Sequence, residues 1–325
     1  MTRLSVGSLR LDLETEVLRI QDFIKSSVAT RLKKKGAIVA VSGGIDSSTT
    51  AALCAQALGP QRVLALLLPE RDSSHESLYY GRMLVNHLGI ESETIDVAPI
   101  LDIMGCYQQR DAAIRELFPE YKSDYKNKIV LSTGAASQQR LHFFSLVIQD
   151  PEGIQKTCRL PLKNYLQIVA ATNMKQRARK SLEYFHADRL NFAVVGTPNF
   201  LEYDLGFFVK LGDGAADIKP IAHLYKTQIY AMASYLGLPK ELCDRKPTTD
   251  TYSLEQSQEE FYFEAPLEKL DLMLFGMAKG LDASEIADAI DLPVEQTEKY
   301  LEGIRQKRAS TSVLHLPPLT LNPMQ

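Results

Sequence analysis

The residues with the clearest potential for chemistry lie in Ser42–Ser48, a glycine- and serine-rich segment with the sequence SGGIDSS. Adjacent glycines let the backbone turn tightly and approach a ligand, while hydroxyl groups and the amides at the start of a helix favour an anion. The segment therefore predicts a phosphate site. The sequence lacks the G-x-x-x-x-G-K-[ST] loop of kinases and GTPases, and Asp46 in place of the lysine favours a metal-bridged phosphate. A purely structural Gly-Gly turn is the alternative.

The string S-G-G-x-D-S resembles the pyrophosphate-binding loop of the ATP pyrophosphatases, which cleave ATP between the α and β phosphates and adenylate a substrate. Five later segments resemble, in the same order, motifs of the ammonia-dependent NAD synthetase family. They are Asn173–Arg179, Gly196–Glu202, Gly206–Asp217, Leu224–Gln228 and Lys246–Asp250. The resemblance implies a carbon–nitrogen ligase that adenylates the carboxylate of nicotinic acid adenine dinucleotide with ATP. Ammonia then displaces AMP and NAD is formed.

The resemblance also implies which residues handle ATP. A carboxylate attacks an α-phosphate more readily when Mg²⁺ held by protein carboxylates neutralises its charge, and Asp46 and Glu202 are the predicted metal ligands. Lys226 and Thr248, together with Asp46, are the predicted catalytic residues, because the departing pyrophosphate needs cations and hydrogen-bond donors. The predicted ATP-binding residues are Ser42, Gly43, Gly44, Asp46, Ser47, Ser48, Arg71 and Thr197.

The substrate is expected on a second group of residues. Asn173 and Arg177 are four positions apart and share one helical face, so both side chains can reach the same ligand, which the resemblance identifies as the dinucleotide. By the same resemblance, Phe207 lies at the nicotinate end. The predicted substrate-binding residues are Asn173, Arg177, Phe207, Lys210, Asp213 and Asp217. A solvated surface charge remains the alternative for Arg177, and core packing for Phe207.

Strands and helices must position these residues. Along most of the chain, short apolar runs typical of strands alternate with helical patterns. The predicted strands are Ala37–Val41, Val63–Leu68, Glu93–Val97 and Phe192–Val195. The main predicted helices are Val17–Leu32, Asp46–Leu58, Ser77–Leu88, Lys175–Leu190 and Lys226–Leu236. This alternation predicts an α/β fold with a doubly wound parallel sheet, which by resemblance is of the adenine nucleotide α-hydrolase type. Ligands bind at the carboxyl edge of such sheets.

Strand patterns are missing from the last part of the chain, where three helical patterns occur. They are Leu267–Phe275, Ala283–Ile290 and Val294–Arg305. We therefore predict an ATP pyrophosphatase-like α/β domain in residues 1–263 and a helical C-terminal appendage with an extended tail in residues 264–325. The last two helices have the spacing of a DNA-binding helix-turn-helix, but Glu295, Glu298 and Glu302 would repel phosphates. Such a regulator, or a nucleotide-binding protein without catalysis, is the competing class.

An insertion is predicted at about residues 105–165, because the stretch before the Asn173 helix is far longer than the resemblance implies. Its helix and strand patterns argue against complete disorder. A lid, a partner surface and an inert surface insertion are all left open, since long insertions cost little stability. Pro198 and the segment Thr251–Phe263 also depart from the family motifs. A related amide ligase acting on another carboxylate is therefore the alternative function.

The composition favours a protein that binds small molecules. A formal net charge of −3, from 37 basic and 40 acidic residues, provides no basic surface for nucleic acid or an anionic membrane. A carboxylate and ammonia are the predicted partners. The cysteines have no metal or disulfide spacing, and no run reaches about 18 apolar residues, so we expect free thiols and a cytoplasmic protein. The resemblance implies a homodimer, with ammonia taken up free or delivered by a separate glutaminase.

Overall fold

The computed structural model describes residues 4–133, 142–245, 251–256 and 265–321, except the side chains of residues 132, 133, 142 and 143. The strands are β1 (Ala37–Ala40), β2 (Val63–Leu67), β3 (Glu91–Thr94), β4 (Lys126–Thr133), β5 (His142–Gln149), β6 (Gln155–Arg159) and β7 (Ala193–Val195). The α-helices are α1 (Leu13–Lys25), α2 (Ile45–Leu58), α3 (His75–Leu88), α4 (Ala98–Ile103), α5 (Cys106–Arg115), α6 (Leu162–Leu190), α7 (Phe200–Asp204), α8 (Lys226–Tyr235), α9 (Lys240–Cys243), α10 (Leu267–Ala278), α11 (Ala283–Ile290) and α12 (Val294–His315). A π-helix, Ser26–Arg31, continues α1. Within these ranges, none of the helices has the length and apolar character to span a membrane.

Four of the strands pair in parallel in the order β3-β2-β1-β7 and form the central sheet. Successive side chains of a strand point to opposite faces of its sheet. In β1, Ile38 belongs to an apolar cluster with residues of α4, α5 and α6, whereas Val39 belongs to a cluster with residues of α1, α2, α3 and α8. Both side chains are fully buried. Helices therefore cover both faces of the sheet, and the predicted doubly wound parallel α/β fold is confirmed.

The largest difference between a predicted and an observed element concerns α6, which begins at Leu162 and not at Lys175. The first half of α6 packs against α5. There the Asn164 amide donates hydrogen bonds of 3.0 Å to the Ala113 carbonyl and to the Glu116 carboxylate. Packing contributes most of the stability of helices in proteins. Contact with α5 therefore sustains a helix through a stretch whose own pattern does not predict one.

The described part of the insertion has a core of its own. It consists of α5, the antiparallel sheet β4-β5-β6 and the start of α6. Ile114 of α5, Leu146 of β5 and Ile168 of α6 are fully buried in one apolar cluster. Tyr252, from a distant part of the sequence, is buried in the same cluster. The insertion is thus a folded unit that also packs against the chain after residues 246–250.

A buried network of charged side chains fastens the insertion to the central sheet. The Lys175 ammonium of α6 lies 2.9 Å from Glu70 and 2.6 Å from Asp72, which both follow β2. Arg110 of α5 pairs with Asp72 and, at 2.8 Å, with Asp111. Burial disfavours charge on Asp72, but the two cations outweigh it and lower the pKa of this carboxyl. The removal of one cation would leave an uncompensated charge in the interior.

Helices α10–α12 share an apolar core with residues of the α/β part of the chain. Met273 of α10 and Ile286 of α11 are fully buried in one cluster with Leu4 and Leu201. This core contains residues from both sides of the boundary predicted at residue 263. The division into two domains stays a prediction. The C-terminal helices are nevertheless packed directly against the elements that follow β7.

We expect Arg110→Met to lower the free energy of unfolding by about 3–5 kcal/mol, because Asp72 and Asp111 would be buried with one cation fewer. The matched control is Lys163→Met, which breaks an exposed ion pair with Glu116 and should lower the free energy of unfolding far less. Urea denaturation followed by circular dichroism measures both effects. Equal effects would show that the buried network does not hold the insertion.

Candidate active site

A cavity of about 630 Å³ opens at the carboxyl edge of the central sheet. It is lined by the ends of β1 and β2, by Gly196 and Thr197 after β7, and by one face of α6. Open parallel α/β sheets bind their ligands at this edge. The cavity is therefore the place where a ligand of this fold would bind.

The SGGIDSS segment forms a tight turn at the cavity and leads into α2. Gly43 has a φ of +74°, and a Cβ atom here would lie 2.4 Å from the Ser77 carbonyl oxygen, so glycine is required. The Ser42 and Ser47 hydroxyl oxygens lie 3.1 Å apart, and the Ser47 hydroxyl donates a hydrogen bond of 3.0 Å to the Gly44 carbonyl. The turn thus places two hydroxyl groups and the start of a 14-residue helix at the cavity, an arrangement that suits an anion.

Asp46 lies at the centre of a polar cluster beside this turn. One of its carboxylate oxygens forms an ion pair with the Lys226 ammonium, and the other accepts a hydrogen bond of 2.9 Å from the Asn199 side-chain amide. Asn199 is fully buried. It forms a capping box at the start of α7, in which its side chain accepts from the Glu202 N–H at 3.0 Å and Glu202 accepts from the Asn199 N–H at 3.3 Å. Asn199 therefore connects the two acidic residues.

The ammonium of Lys226 remains charged although its side chain is only 2% exposed. Burial opposes the charge, but Asp46 and Glu202 outweigh burial and raise the pKa of Lys226. Lys226 is the first residue of α8. Asp271 of α10 accepts hydrogen bonds from the N–H groups of Lys226 at 3.3 Å and Thr227 at 2.8 Å. The C-terminal helices therefore fix the start of the helix that carries this lysine.

The donors at this end of the cavity suit Mg²⁺ bound together with a nucleotide. Mg²⁺ usually takes one or two protein carboxylates and completes its octahedron with phosphate oxygens and water. Asp46 and Glu202 both line the cavity. In the part of the chain that the structure describes, no three His, Cys, Asp or Glu side chains form a cluster for a metal. These donors therefore fit a metal ion that is coordinated jointly by the protein and by a bound substrate.

One face of α6 forms a side of the cavity. Asn173, Gln176, Arg177 and Lys180 recur at helical spacing and all line the cavity. Lys180 forms a buried ion pair of 2.6 Å with Glu183, and burial raises the pKa of Glu183. As the spacing predicts, Asn173 and Arg177 reach the same space.

The loop after α7 contributes Phe207, Lys210 and Asp213 to the cavity lining. Asp213 accepts a hydrogen bond of 2.7 Å from a backbone N–H four residues earlier, and burial raises the pKa of its carboxyl. Lys210 donates hydrogen bonds of 3.0 Å to the carbonyls of Val313 and Leu316 at the end of α12. The last helix therefore holds the lysine that the sequence assigns to substrate binding.

Most residues predicted to bind ATP lie at the cavity. Those that line it are Ser42, Gly44, Asp46, Ser47 and Thr197. Gly43 and Ser48 are not among the lining residues. Ser48 is buried and donates a hydrogen bond of 2.8 Å to the Gly44 carbonyl, so both residues affect the cavity through the shape of the turn. Thr248, predicted to be catalytic, lies outside the described residues.

Arg71 and Asp217, predicted to contact ATP and substrate, also lie outside the cavity lining. The Arg71 guanidinium carbon is 3.9 Å from the centroid of the Tyr107 ring, and Asp102 lies 3.6 Å from Arg71. The exposed Asp217 accepts a hydrogen bond of 2.8 Å from the Val194 N–H of β7. Contact with a ligand in the cavity would require both side chains to leave these partners.

The sequence analysis assigned no role to Asn199 or Arg245. Asn199 holds the Asp46 carboxylate, and Arg245 holds the SGGIDSS turn. Arg245 lines the cavity and donates hydrogen bonds to the Gly43 carbonyl at 2.9 Å and to the Ser77 hydroxyl at 3.1 Å. Asn199 lies inside the GTPN motif, and Arg245 directly precedes the KPTTD segment. The motifs thus marked the right regions, but only the fold shows that these two side chains point to the turn.

Comparison with known proteins identifies relatives of this chain. The profile of a family described as NAD synthase matches residues 16–147 and 141–310. The chain is 52% identical to the NH(3)-dependent NAD(+) synthetase of Rhizobium meliloti (strain 1021) over 321 residues. That alignment covers 99% of this chain and 96% of the relative.

Solved structures share the fold. An NMN synthetase from Francisella tularensis and an NH3-dependent NAD synthetase from Campylobacter jejuni each superpose with a TM-score of 0.62 at 22% identity, over 96% of this chain and 100% of theirs. At this identity the likeness concerns the fold alone. Because the family profile spans most of the sequence and the Rhizobium relative aligns over nearly its full length, this chain belongs to the NAD synthase family.

Proposed function

We propose that this protein is an ammonia-dependent NAD synthetase, a carbon–nitrogen ligase that uses ATP to amidate nicotinic acid adenine dinucleotide. One observation carries the proposal. Asp46, Glu202 and Lys226 converge beside the SGGIDSS turn in a cavity whose other side presents Asn173 and Arg177. The relative from Rhizobium meliloti, named for the same reaction, supports the assignment.

The cavity residues have distinct tasks in this reaction. The triphosphate of ATP lies at the turn, where the Ser42 and Ser47 hydroxyls and the start of α2 face its negative charge. Lys226 faces the charge that grows as pyrophosphate departs, and a cation already in place lowers that barrier. The substrate carboxylate attacks the α-phosphorus, so an acyl-adenylate forms and pyrophosphate leaves. Ammonia then attacks the acyl carbon, AMP leaves, and a proton is released as the amide forms.

Asp46 and Glu202 are the residues that would hold Mg²⁺, which supplies positive charge to phosphate oxygens when bound. Asn199 holds both acidic residues through its side chain and its backbone N–H. Their orientation is therefore set by the protein before a metal binds.

The choice of carboxylate rests on the shape of the cavity, because one fold accommodates both an NMN synthetase and an NAD synthetase. The cavity-lining positions of α6 extend from Tyr165 to Glu183. At 1.5 Å per residue this face is roughly 27 Å long. Such a length suits an extended dinucleotide better than a mononucleotide.

Several features stay predictions. The resemblance implies a homodimer, ammonia from solution or from a separate glutaminase, and a role for Thr248 in catalysis. Cys54, Cys106, Cys158 and Cys243 have free thiols, which fits the proposed location in the reducing cytoplasm. Sedimentation velocity at several protein concentrations would decide the oligomeric state.

The reaction is tested by incubation of the purified protein with Mg-ATP, ammonium chloride and nicotinic acid adenine dinucleotide. We expect NAD, AMP and pyrophosphate in equal amounts, because one ATP is cleaved for each amide formed. Nicotinic acid mononucleotide in place of the dinucleotide is the substrate control. Product from the mononucleotide alone would move the proposal to NMN synthesis, and product from neither would move it to another carboxylate.

Glu202→Gln tests the metal assignment, because glutamine can keep the capping box with Asn199 while the negative charge is lost. We expect the Mg²⁺ concentration that gives half-maximal rate to rise at least about tenfold, with little change in Tm. The control is Glu120→Gln, which removes the charge of an exposed carboxylate paired with Lys156. An unchanged Mg²⁺ dependence in Glu202→Gln would remove Glu202 from the metal site.

Asp46→Asn should lower turnover at least about 100-fold, because it removes both a metal ligand and the partner of Lys226. It should also destabilise the fold by about 3–5 kcal/mol, since the buried Lys226 ammonium would lose its ion-pair partner. The double variant Asp46→Asn/Lys226→Met separates the two effects. We expect it to regain stability in urea denaturation but not pyrophosphate release. A double variant with restored turnover would show that the pair is only structural.

A further inference from the structure

The insertion contributes an aromatic surface to the active-site cavity. Phe144 of β5 and Tyr165 of α6 both line the cavity, and neither is fully buried. Their ring centroids are 4.3 Å apart and their planes differ by 14°. Val169, one turn after Tyr165, and Tyr252 line the same cavity. None of these four side chains carries a charge at neutral pH, in contrast to the cluster around Asp46.

This aromatic surface lies at a distance from the phosphate turn. Arg179 of α6 donates a hydrogen bond of 3.0 Å to the Leu68 carbonyl at the end of β2, which marks the edge of the central sheet. Tyr165 precedes Arg179 on the same helix by an axial distance of about 21 Å at 1.5 Å per residue. A ligand whose phosphates occupy the turn would therefore reach Tyr165 only with a remote part of its structure.

The position of Phe144 in its strand argues against a purely structural role. Phe144, Leu146 and Ile148 lie on the same face of β5, since side chains alternate along a strand. Leu146 and Ile148 are fully buried in the core of the insertion, whereas Phe144 is partly exposed. Phe144 packs against the edge of this core and also lines the cavity, so the apolar face of the strand ends in the cavity.

Both rings are mounted on fixed backbone. The Phe144 carbonyl accepts a hydrogen bond of 2.8 Å from the Leu160 N–H, and Phe144 also pairs with Leu131 of β4. The Tyr165 N–H donates to the Pro161 carbonyl at 2.9 Å in the first turn of α6. The backbone at both positions is therefore fixed before any ligand arrives, and the stacking contact between the rings orders the two side chains, which reduces the ordering cost of binding.

The buried charged network sets the distance between this surface and the turn. Lys175 pairs with Glu70 and Asp72 after β2, and its ammonium also donates a hydrogen bond of 3.0 Å to the Thr251 carbonyl. Thr251 immediately precedes Tyr252, which is buried in the core of the insertion. The insertion is thereby fixed relative to the carboxyl edge of the sheet.

We propose that the Phe144–Tyr165 pair is a stacking site for a flat heteroaromatic base of a substrate bound in the cavity. The inference rests on the proposed function, because ATP and the dinucleotide both carry adenine and the dinucleotide also carries a pyridine ring. Stacked aromatic side chains bind such bases through their faces, without reading hydrogen-bond patterns. The insertion is then part of the binding site and sets how tightly one of the two nucleotides is held.

The test uses Phe144→Leu and Tyr165→Leu, which keep apolar volume but remove the ring face. We expect the KM of one nucleotide to rise by about 5- to 100-fold, with kcat nearly unchanged, because base stacking acts on binding. Tyr165→Phe keeps the ring and should resemble the wild type. The matched control is Phe185→Leu, an exposed position of the same helix that does not line the cavity. Thermal melting of each variant reports its folding.

The KM values of the two substrates show which substrate provides the stacked base. A rise in the KM of ATP alone would assign the stack to the adenine of ATP, and a rise in the KM of the dinucleotide alone would assign it to a ring of that substrate. Either result supports the proposal. Unchanged KM values for both, or a lower Tm and kcat without a change in KM, would overturn it.

A direct binding measurement tests this inference independently of the proposed function. If the wild type makes no NAD, the function fails, but calorimetric titration with ATP, with the dinucleotide and with tripolyphosphate still tests the stack. Phe144→Leu should weaken binding of ATP or of the dinucleotide and leave tripolyphosphate, which has no base, unaffected. Equal Kd values for wild type and variant with all three probes would overturn the proposal.

Discussion

The buried ion pair between Asp46 and Lys226 is the interaction on which the site depends. A buried ammonium needs a close partner, since an unpaired charge in the interior is strongly destabilising. Asp46 is fixed by the turn after β1 and by Asn199, and Lys226 is fixed because Asp271 caps the helix that it begins. Four distant segments of the chain must therefore be in place before one cation is correctly oriented beside the SGGIDSS turn.

This constraint explains why the C-terminal helices are joined so closely to the α/β part. Asp271 of α10 caps α8, and the end of α12 accepts both hydrogen bonds from Lys210. The shared core with Leu4 and Leu201 adds apolar packing to these polar contacts. A boundary near residue 263 describes a change in element type along the sequence. The division into two domains stays a prediction, and residues on both sides of the boundary share these contacts.

Local patterns predicted the parts of the structure that are local in origin. The strand Ala37–Ala40 is a continuous apolar run, and Gly43 adopts the positive φ that a tight Gly-Gly turn predicts, so both features could be predicted from the sequence. The early start of α6, the contact of Arg245 with the turn and the exposure of Phe144 to the cavity were not. Each depends on a partner far away in the sequence, and periodicity carries no information about which distant elements meet.

The described part of the insertion reaches the cavity through such a distant contact. Long insertions cost little stability, so their length alone predicts nothing about function. A buried network such as that of Lys175, Arg110 and Asp72 is weak support for stability, because desolvation offsets most of the attraction. Its definite geometry instead specifies where the insertion lies. That position brings two aromatic rings to the cavity that Asp46 also lines.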